Sequence, residues 1–292
     1  MTARKPPAEK AGAGRRPPGN LPVAFPRPPG YHPEGPPPFA RTTHMPALTL
    51  PPIIGHRCAR AEAPENTLAG LRRAAALGAR WVEVDVRLTA DGVPVLLHDA
   101  TLERTTSGHG ALAGTTLAEL ERGDAGGGEP VPTLAAFLAA ALGFGIGVNL
   151  ELKAASGAPG LELKAASGDP EALAAAALSV AQSLWPPEAP PPLISSFEPA
   201  CLEAAARFAP DWPRGLLLEE IPPDWREIAA RVGAAAIVVD HARLDSAAAV
   251  AALAADGRTV AVYTVNDAAR ARQLLSWGVT AIISDHPNLF SV

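Results

Sequence analysis

Cysteine is nearly missing from this chain: Cys58 and Cys201 are the only two among 292 residues. Two cysteines make no disulfide framework. Stability must come from a packed core, and free thiols in a reducing, cytoplasmic compartment are the expectation. Basic charge is scarce as well. Lys and Arg number 25 against 30 Asp and Glu, a formal net charge of -5. That balance argues against a nucleic-acid partner, which needs a basic face. No run of about 18 apolar residues occurs, so no membrane span is expected. Arg4, Lys5, Lys10, Arg15 and Arg16 near the start precede no apolar stretch, so the segment does not read as a secretory signal.

Hydrophobic residues make up 48% of the chain and charged residues 19%. That suffices for a full core in one large α/β domain or two smaller ones. Prolines crowd the first fifty residues, from Pro6 to Pro38, then Pro46 and beyond. Such a stretch supports neither helices nor ladders and has little to bury, so residues 1–46 are expected to be a disordered tail. It reads as an upstream extension, with Met45 as a second start, rather than as a docking tail, because it repeats no recognition motif.

From Pro51 onward, short β-branched runs alternate with alanine-rich helical stretches, over 47–292 as one domain. Candidate strands are Ile53–His56, Trp81–Leu88, Val93–His98, Gly147–Leu152, Leu193–Ser196, Arg214–Leu218, Ala236–Val239, Thr259–Thr264 and Ala281–Ser284. Helices are expected over Glu65–Leu77, Thr133–Leu142, Pro170–Leu184, Pro199–Phe208, Asp224–Val232, Asp245–Asp256 and Asp267–Trp277. Alternation of this kind means βα units and a parallel sheet, and about 240 residues of it fit a TIM-type (β/α)8 barrel. One strand is surplus. Asp91-Gly92 between two apolar runs accounts for it as a hairpin turn. A two-residue turn pairs Leu96 with Arg87 and His98 with Asp85, which places Glu83, Asp85 and His98 on one face of a half-buried strand. The polar, glycine-rich stretch 100–130 reads as a small insertion over the catalytic mouth, with His109 a solvated loop residue.

Carboxylates inside apolar runs carry the chemistry. A buried charge is costly unless paired or bound to a metal. Glu83 and Asp85 are two apart on one strand and Glu151 sits in VNLELK. Their clustering calls for a shared cation, and an all-oxygen donor set suits Mg²⁺ or Ca²⁺. His56 and His98 end strands, where imidazole can carry protons near neutral pH.

GHR followed by PENT, then EVDV, VPVLLHDATLERTT, NLELK, VYTVND and GVTAIISDHP resemble the glycerophosphodiester phosphodiesterase family, from Ile53 to Pro287. The resemblance implies a TIM-type barrel with an insertion after the hairpin. It also implies metal-dependent hydrolysis of small glycerophosphodiesters to sn-glycerol 3-phosphate and an alcohol. By the same match, His56 and His98 are the general acid/base pair, and Glu83, Asp85 and Glu151 are the metal ligands. Arg57 and Lys153 contact phosphate. Tyr263 reads either as a wall of the glycerol pocket or as core. A lyase that forms a cyclic phosphate, a broad phosphodiesterase or phosphotriesterase, and a non-catalytic binder are the alternatives.

The chain departs from the family pattern twice. Cys58 replaces the glycine of HRG, which is expected to strain the loop or crowd the pocket. LELKAASG occurs at 150–157 and again at 161–168. Glu151 is preferred over Glu162 as ligand, because Ala158-Pro159-Gly160 breaks any strand before the second copy. The repeat is expected to lengthen a loop that sets substrate range.

Overall fold

The computed structural model of the chain describes residues 48–154 and 168–290. The expected tail over 1–46 lies outside the described residues, as does Glu162 with its loop. The strands run in chain order as β1 Ile53–Gly55, β2 Trp81–Leu88, β3 Pro94–Leu96, β4 Gly147–Leu152 and β5 Leu193–Ser196. They continue as β6 Arg214–Leu218, β7 Ala236–Asp240, β8 Thr259–Tyr263 and β9 Ala281–Ser284. Eight of them are parallel, in the order β1-β9-β8-β7-β6-β5-β4-β2. Gly55 then pairs with Val82 and closes the ring, with β3 antiparallel outside β2. This is a (β/α)8 barrel.

The helices are α1 Leu68–Ala76, α2 Leu117–Leu120, α3 Leu134–Phe144, α4 Pro170–Leu184, α5 Pro199–Phe208, α6 Trp225–Arg231, α7 Ala247–Ala254 and α8 Ala268–Ser276. Their starts follow local chemistry. Asp169 accepts from the N–H of Glu171 ahead of Pro170, which needs no hydrogen-bond partner at the first helical position. α1 starts three residues later than expected. Asn66 is left-handed at φ 56° and breaks the helix, and Thr67 caps it through the N–H of Gly70 at 2.9 Å. No helix among the described residues is long and apolar enough to cross a membrane.

Strand alternation sorts the core into two layers. Val82, Val84, Val86, Val148, Leu150, Leu152, Ile237, Val239, Val260 and Val262 face outward, where Leu71, Phe137, Leu138 and Leu178 of the helices cover them. Ile54, Leu193, Leu217, Val238, Ala261 and Ile283 fill the barrel interior. Trp81 joins this inner layer and needs glycine beside it. A Cβ on Gly147 would lie 2.3 Å from the indole, so no larger residue fits there.

The hairpin differs from expectation by one register step. Leu96 pairs with Val86, not Arg87, and Val95 with Arg87. The N–H of Thr89 bonds the carbonyl of Val93, and Gly92 is left-handed at φ 78°, so three residues rather than two make the turn. The slip leaves the site intact because β3 ends at Leu96. His98 lies beyond the ladder, where strict alternation no longer fixes its side. β2 is also buried on both faces from Val82 to Val86 rather than half-buried.

The stretch 100–130 is more structured than its polarity suggested. It contains α2 and buries Leu102, Leu112, Leu120 and Ala125, with Val131 just after it, against Val95 and Leu97. The N–H of Leu117 bonds Asp91 Oδ1 at 3.0 Å and ties this small core to the hairpin tip.

Candidate active site

β2 and β4 lie side by side, with Asp85 opposite Glu151 and Glu83 opposite Asn149. Inward alternation therefore brings three carboxylates together. Ligand-capable atoms of Glu83, Asp85 and Glu151 all lie within 4.8 Å of one another. Each carboxylate is buried and differently partnered. Glu83 Oε2 accepts the N–H of Arg57 at 3.0 Å, while its Oε1 is buried with no hydrogen-bond partner among the described residues. Asp85 Oδ2 accepts from Asn66 Nδ2 at 2.8 Å, and Asn66 Oδ1 takes the N–H of Asp85 at 3.1 Å. Lys153 Nζ stands 2.5 Å from Glu151 Oε1 and 3.4 Å from Asp85 Oδ1.

The electrostatics follow from burial. Desolvation, then repulsion from Asp85 and Glu151, drives the Glu83 carboxyl well above its usual range. Burial and Asp85 push Glu151 up to about 7, against the pull of Lys153. Burial also opposes charge on Asp85, but Lys153 and Arg57 outweigh it and hold that carboxyl below its ordinary value. Two carboxyls that resist ionisation, an orphaned Glu83 oxygen and an orphaned Asn149 Oδ1 form an oxygen-only donor set. These residues fit a hard divalent cation.

Two histidines flank this cluster. His56 Nδ1 contacts Asp285 Oδ1 at 2.7 Å, and Arg57 Nε donates to His56 Nε2 at 3.2 Å. A guanidinium only donates, so His56 Nε2 holds a lone pair and the ring proton sits on Nδ1, donated to Asp285. His98 Nδ1 contacts Asp99 Oδ1 at 2.6 Å. Burial lowers the His98 pKa, in spite of the pull of Asp85 and Asp99.

A cavity of about 210 Å³ opens between them. His56, Arg57, Glu83, His98, Glu151, Lys153 and Tyr263 all line it, together with Asn149, Phe197, Leu217, Thr264 and Ile283. Asp85 is the one expected site residue absent from the lining, and it lies within 4.8 Å of the Glu83 and Glu151 carboxylates that do line it. Tyr263 meets Phe197 edge to face at 5.7 Å and donates to the carbonyl of Leu218 at 3.1 Å, so it is both wall and anchor. Cys58 does not crowd this space. It is fully buried in the outer core layer, although φ 78° confirms the backbone strain expected of a non-glycine there.

Sequence reasoning missed the residues that hold the carboxylate cluster and the two histidines. Asp285 orients His56, Asp99 orients His98, Asn66 grips Asp85, and Glu65 accepts from Arg57 Nη1 at 2.8 Å. The signals were present in HD, SDHP and PENT, but each short polar motif has an ordinary turn or cap reading too. Phe197 gave no signal at all.

The model of the "Glycerophosphoryl diester phosphodiesterase family" matches residues 56–289. A phosphodiesterase of Oleispira antarctica, solved in complex with the product sn-glycerol-3-phosphate, superposes with a TM-score of 0.75 at 36% identity. That alignment covers 82% of this chain and 94% of the other. A putative glycerophosphodiester phosphodiesterase of Bacillus subtilis is 29% identical across 81% of this chain and 95% of its own length. Glycerophosphodiester phosphodiesterase 1 of Bos taurus is 51% identical over 69 residues, and this chain covers 21% of that protein. The match from His56 to the last strand, on a barrel of the same build, means that the chain belongs to the glycerophosphoryl diester phosphodiesterase family.

Proposed function

We propose that the chain hydrolyses small glycerophosphodiesters to sn-glycerol 3-phosphate and an alcohol. In this reading Glu83, Asp85 and Glu151 hold one divalent cation, Mg²⁺ or Ca²⁺. The observation that carries it is the buried carboxylate cluster, with its partnerless Glu83 oxygen, between two histidine–aspartate pairs. Support for the substrate class comes from the family match and from the product bound in the Oleispira relative.

When bound, the cation would draw charge off the phosphate oxygens. The chain's own side chains supply the rest. Arg57 and Lys153 face the cavity with donors suited to phosphate, Arg57 as a planar fork and Lys153 as a point charge. His56, with Nε2 unprotonated and Nδ1 anchored on Asp285, accepts a proton from the attacking water. His98 is left to protonate the departing alkoxide, its ring steadied by Asp99. The Tyr263–Phe197 pair forms the apolar wall against which the carbon part of the substrate lies.

Hydrolysis of glycerophosphocholine should stop with EDTA and return with Mg²⁺ or Ca²⁺, yielding sn-glycerol 3-phosphate. Accumulation of a cyclic phosphate would mark a lyase instead, and full activity in EDTA would end the metal reading. On a p-nitrophenyl diester, whose leaving group needs no proton, His98→Ala should retain most of its rate while His56→Ala loses about 10²-fold or more.

A further inference from the structure

The insertion over 100–130 carries one charged side chain into the network behind the histidines. Arg104 Nε donates to Asp99 Oδ2 at 2.6 Å and Nη2 to Asp99 Oδ1 at 2.9 Å. Asp99 is the residue whose Oδ1 holds His98 Nδ1. The guanidinium also grips Glu65, Nη1 to Oε2 at 3.0 Å and Nη2 to Oε1 at 2.8 Å. Both carboxylates are met as planar forks, a geometry that fixes orientation as well as distance.

The position of Arg104 is itself built. Leu102 is buried in the small core of the insertion. Four residues on, Thr106 Oγ1 donates to the carbonyl of Leu102 at 2.7 Å, which closes the turn that carries Arg104. At the other end, Glu65 is bound independently by Arg57 at 2.8 Å and Arg60 at 3.1 Å. It is therefore a fixed anchor that does not depend on Arg104. A guanidinium held on one side by the barrel loop and on the other by the insertion leaves Asp99 a single position.

We propose that Arg104 is a positioning residue for catalysis, fixing the ring of His98 through Asp99 and so making the insertion a structural part of the active site. The assignment rests on the hydrolase reading above. Without Arg104, Asp99 is free to turn toward solvent and His98 loses the bond that sets its tautomer and its aim. Glu65 keeps Arg57 and Arg60, so the grip on phosphate survives. The defect therefore falls on turnover rather than on substrate binding.

Arg104→Ala should lower kcat on glycerophosphocholine by about 10²-fold, the scale of a misplaced catalytic group, with KM nearly unchanged. In a His98→Ala background the same substitution should add no further loss. Arg104→Lys keeps the charge and most of the bulk but not the fork, and should stay at least about tenfold slow. A readout that needs no activity is the downfield proton line of each hydrogen-bonded imidazole. The His98 line, assigned by its loss in Asp99→Asn, should broaden in Arg104→Ala while the His56 line stays sharp. The inference is overturned if kcat is unchanged, if the losses add in the His98→Ala background, if Arg104→Lys restores full turnover, or if the His98 line is unaffected. A wild-type protein inactive on every diester would sink the hydrolase reading, and the imidazole line would still decide the role of Arg104.

Discussion

The barrel interior has two unlike walls. Along β2 and β4 the inward positions include Glu83, Asp85, Asn149 and Glu151, all buried. Across the ring, the inward positions of β5 to β9 include Leu193, Leu217, Val238, Ala261 and Ile283, also buried. Backbone geometry and burial are alike, and only the side chains differ. The apolar wall gains from exclusion of water, roughly 25 cal/mol for each Å². The polar wall pays for it in desolvated charge, offset in part by Lys153, Arg57 and Asn66. The proposed site thus lies where the fold is least self-satisfied, and the rest of the ring carries its cost.

The sharpest way to break this contrast is Glu151→Gln. Activity should fall roughly 10³-fold, since a ligand of the proposed cation is lost. Stability without metal should move the opposite way. The Glu151 carboxyl has an ordinary value of 4.5 and sits at about 7 in the fold. Between those values the folded state holds the extra proton. Its stabilising contribution is complete below pH 4.5 and is lost as pH rises through about 7. In metal-free protein the variant should match wild type near pH 4.5 and exceed it near pH 7, by on the order of 3 kcal/mol. Lys153 keeps Asp85 as a partner in the variant. Urea denaturation at a series of pH values measures the gap, and a pH-independent gap would contradict the account.

The opposite wall should behave conventionally. Leu193 is buried in the inner layer and does not line the active-site cavity. Leu193→Ala should cost about 3 kcal/mol and lower the melting temperature by about 6 to 12 °C, with activity per folded molecule retained. A calorimetric scan beside a rate assay checks this, and a variant that melts normally but turns over slowly would refute the division of labour. Cys58→Gly should do least. Relief of the left-handed backbone and loss of a buried side chain oppose each other, so stability should change by less than about 1 kcal/mol. Turnover should change by less than about twofold, because Cys58 does not line the cleft. A tenfold kinetic effect would restore the idea that this side chain perturbs the pocket.

Much of this was legible in the chain itself. Period-two alternation in WVEVDVRL put Glu83 and Asp85 on one side, and the βα rhythm closed nearly the expected strands into a ring. The hairpin register was not legible, since Asp91-Gly92 serves two- and three-residue turns alike. Nor were the partners of the histidines. Asp285 is 229 residues from His56 in sequence. Arg104 and Glu65 are 39 apart, in segments that read as a loop and a helix start.

Residue order alone determined which carboxylates face inward and which strands carry them, because alternation is a local property of extended backbone. Only the closed tertiary structure decided what each charged group leans on. Ring closure and the packing of the insertion set distances between segments remote in sequence, and no local periodicity encodes those distances.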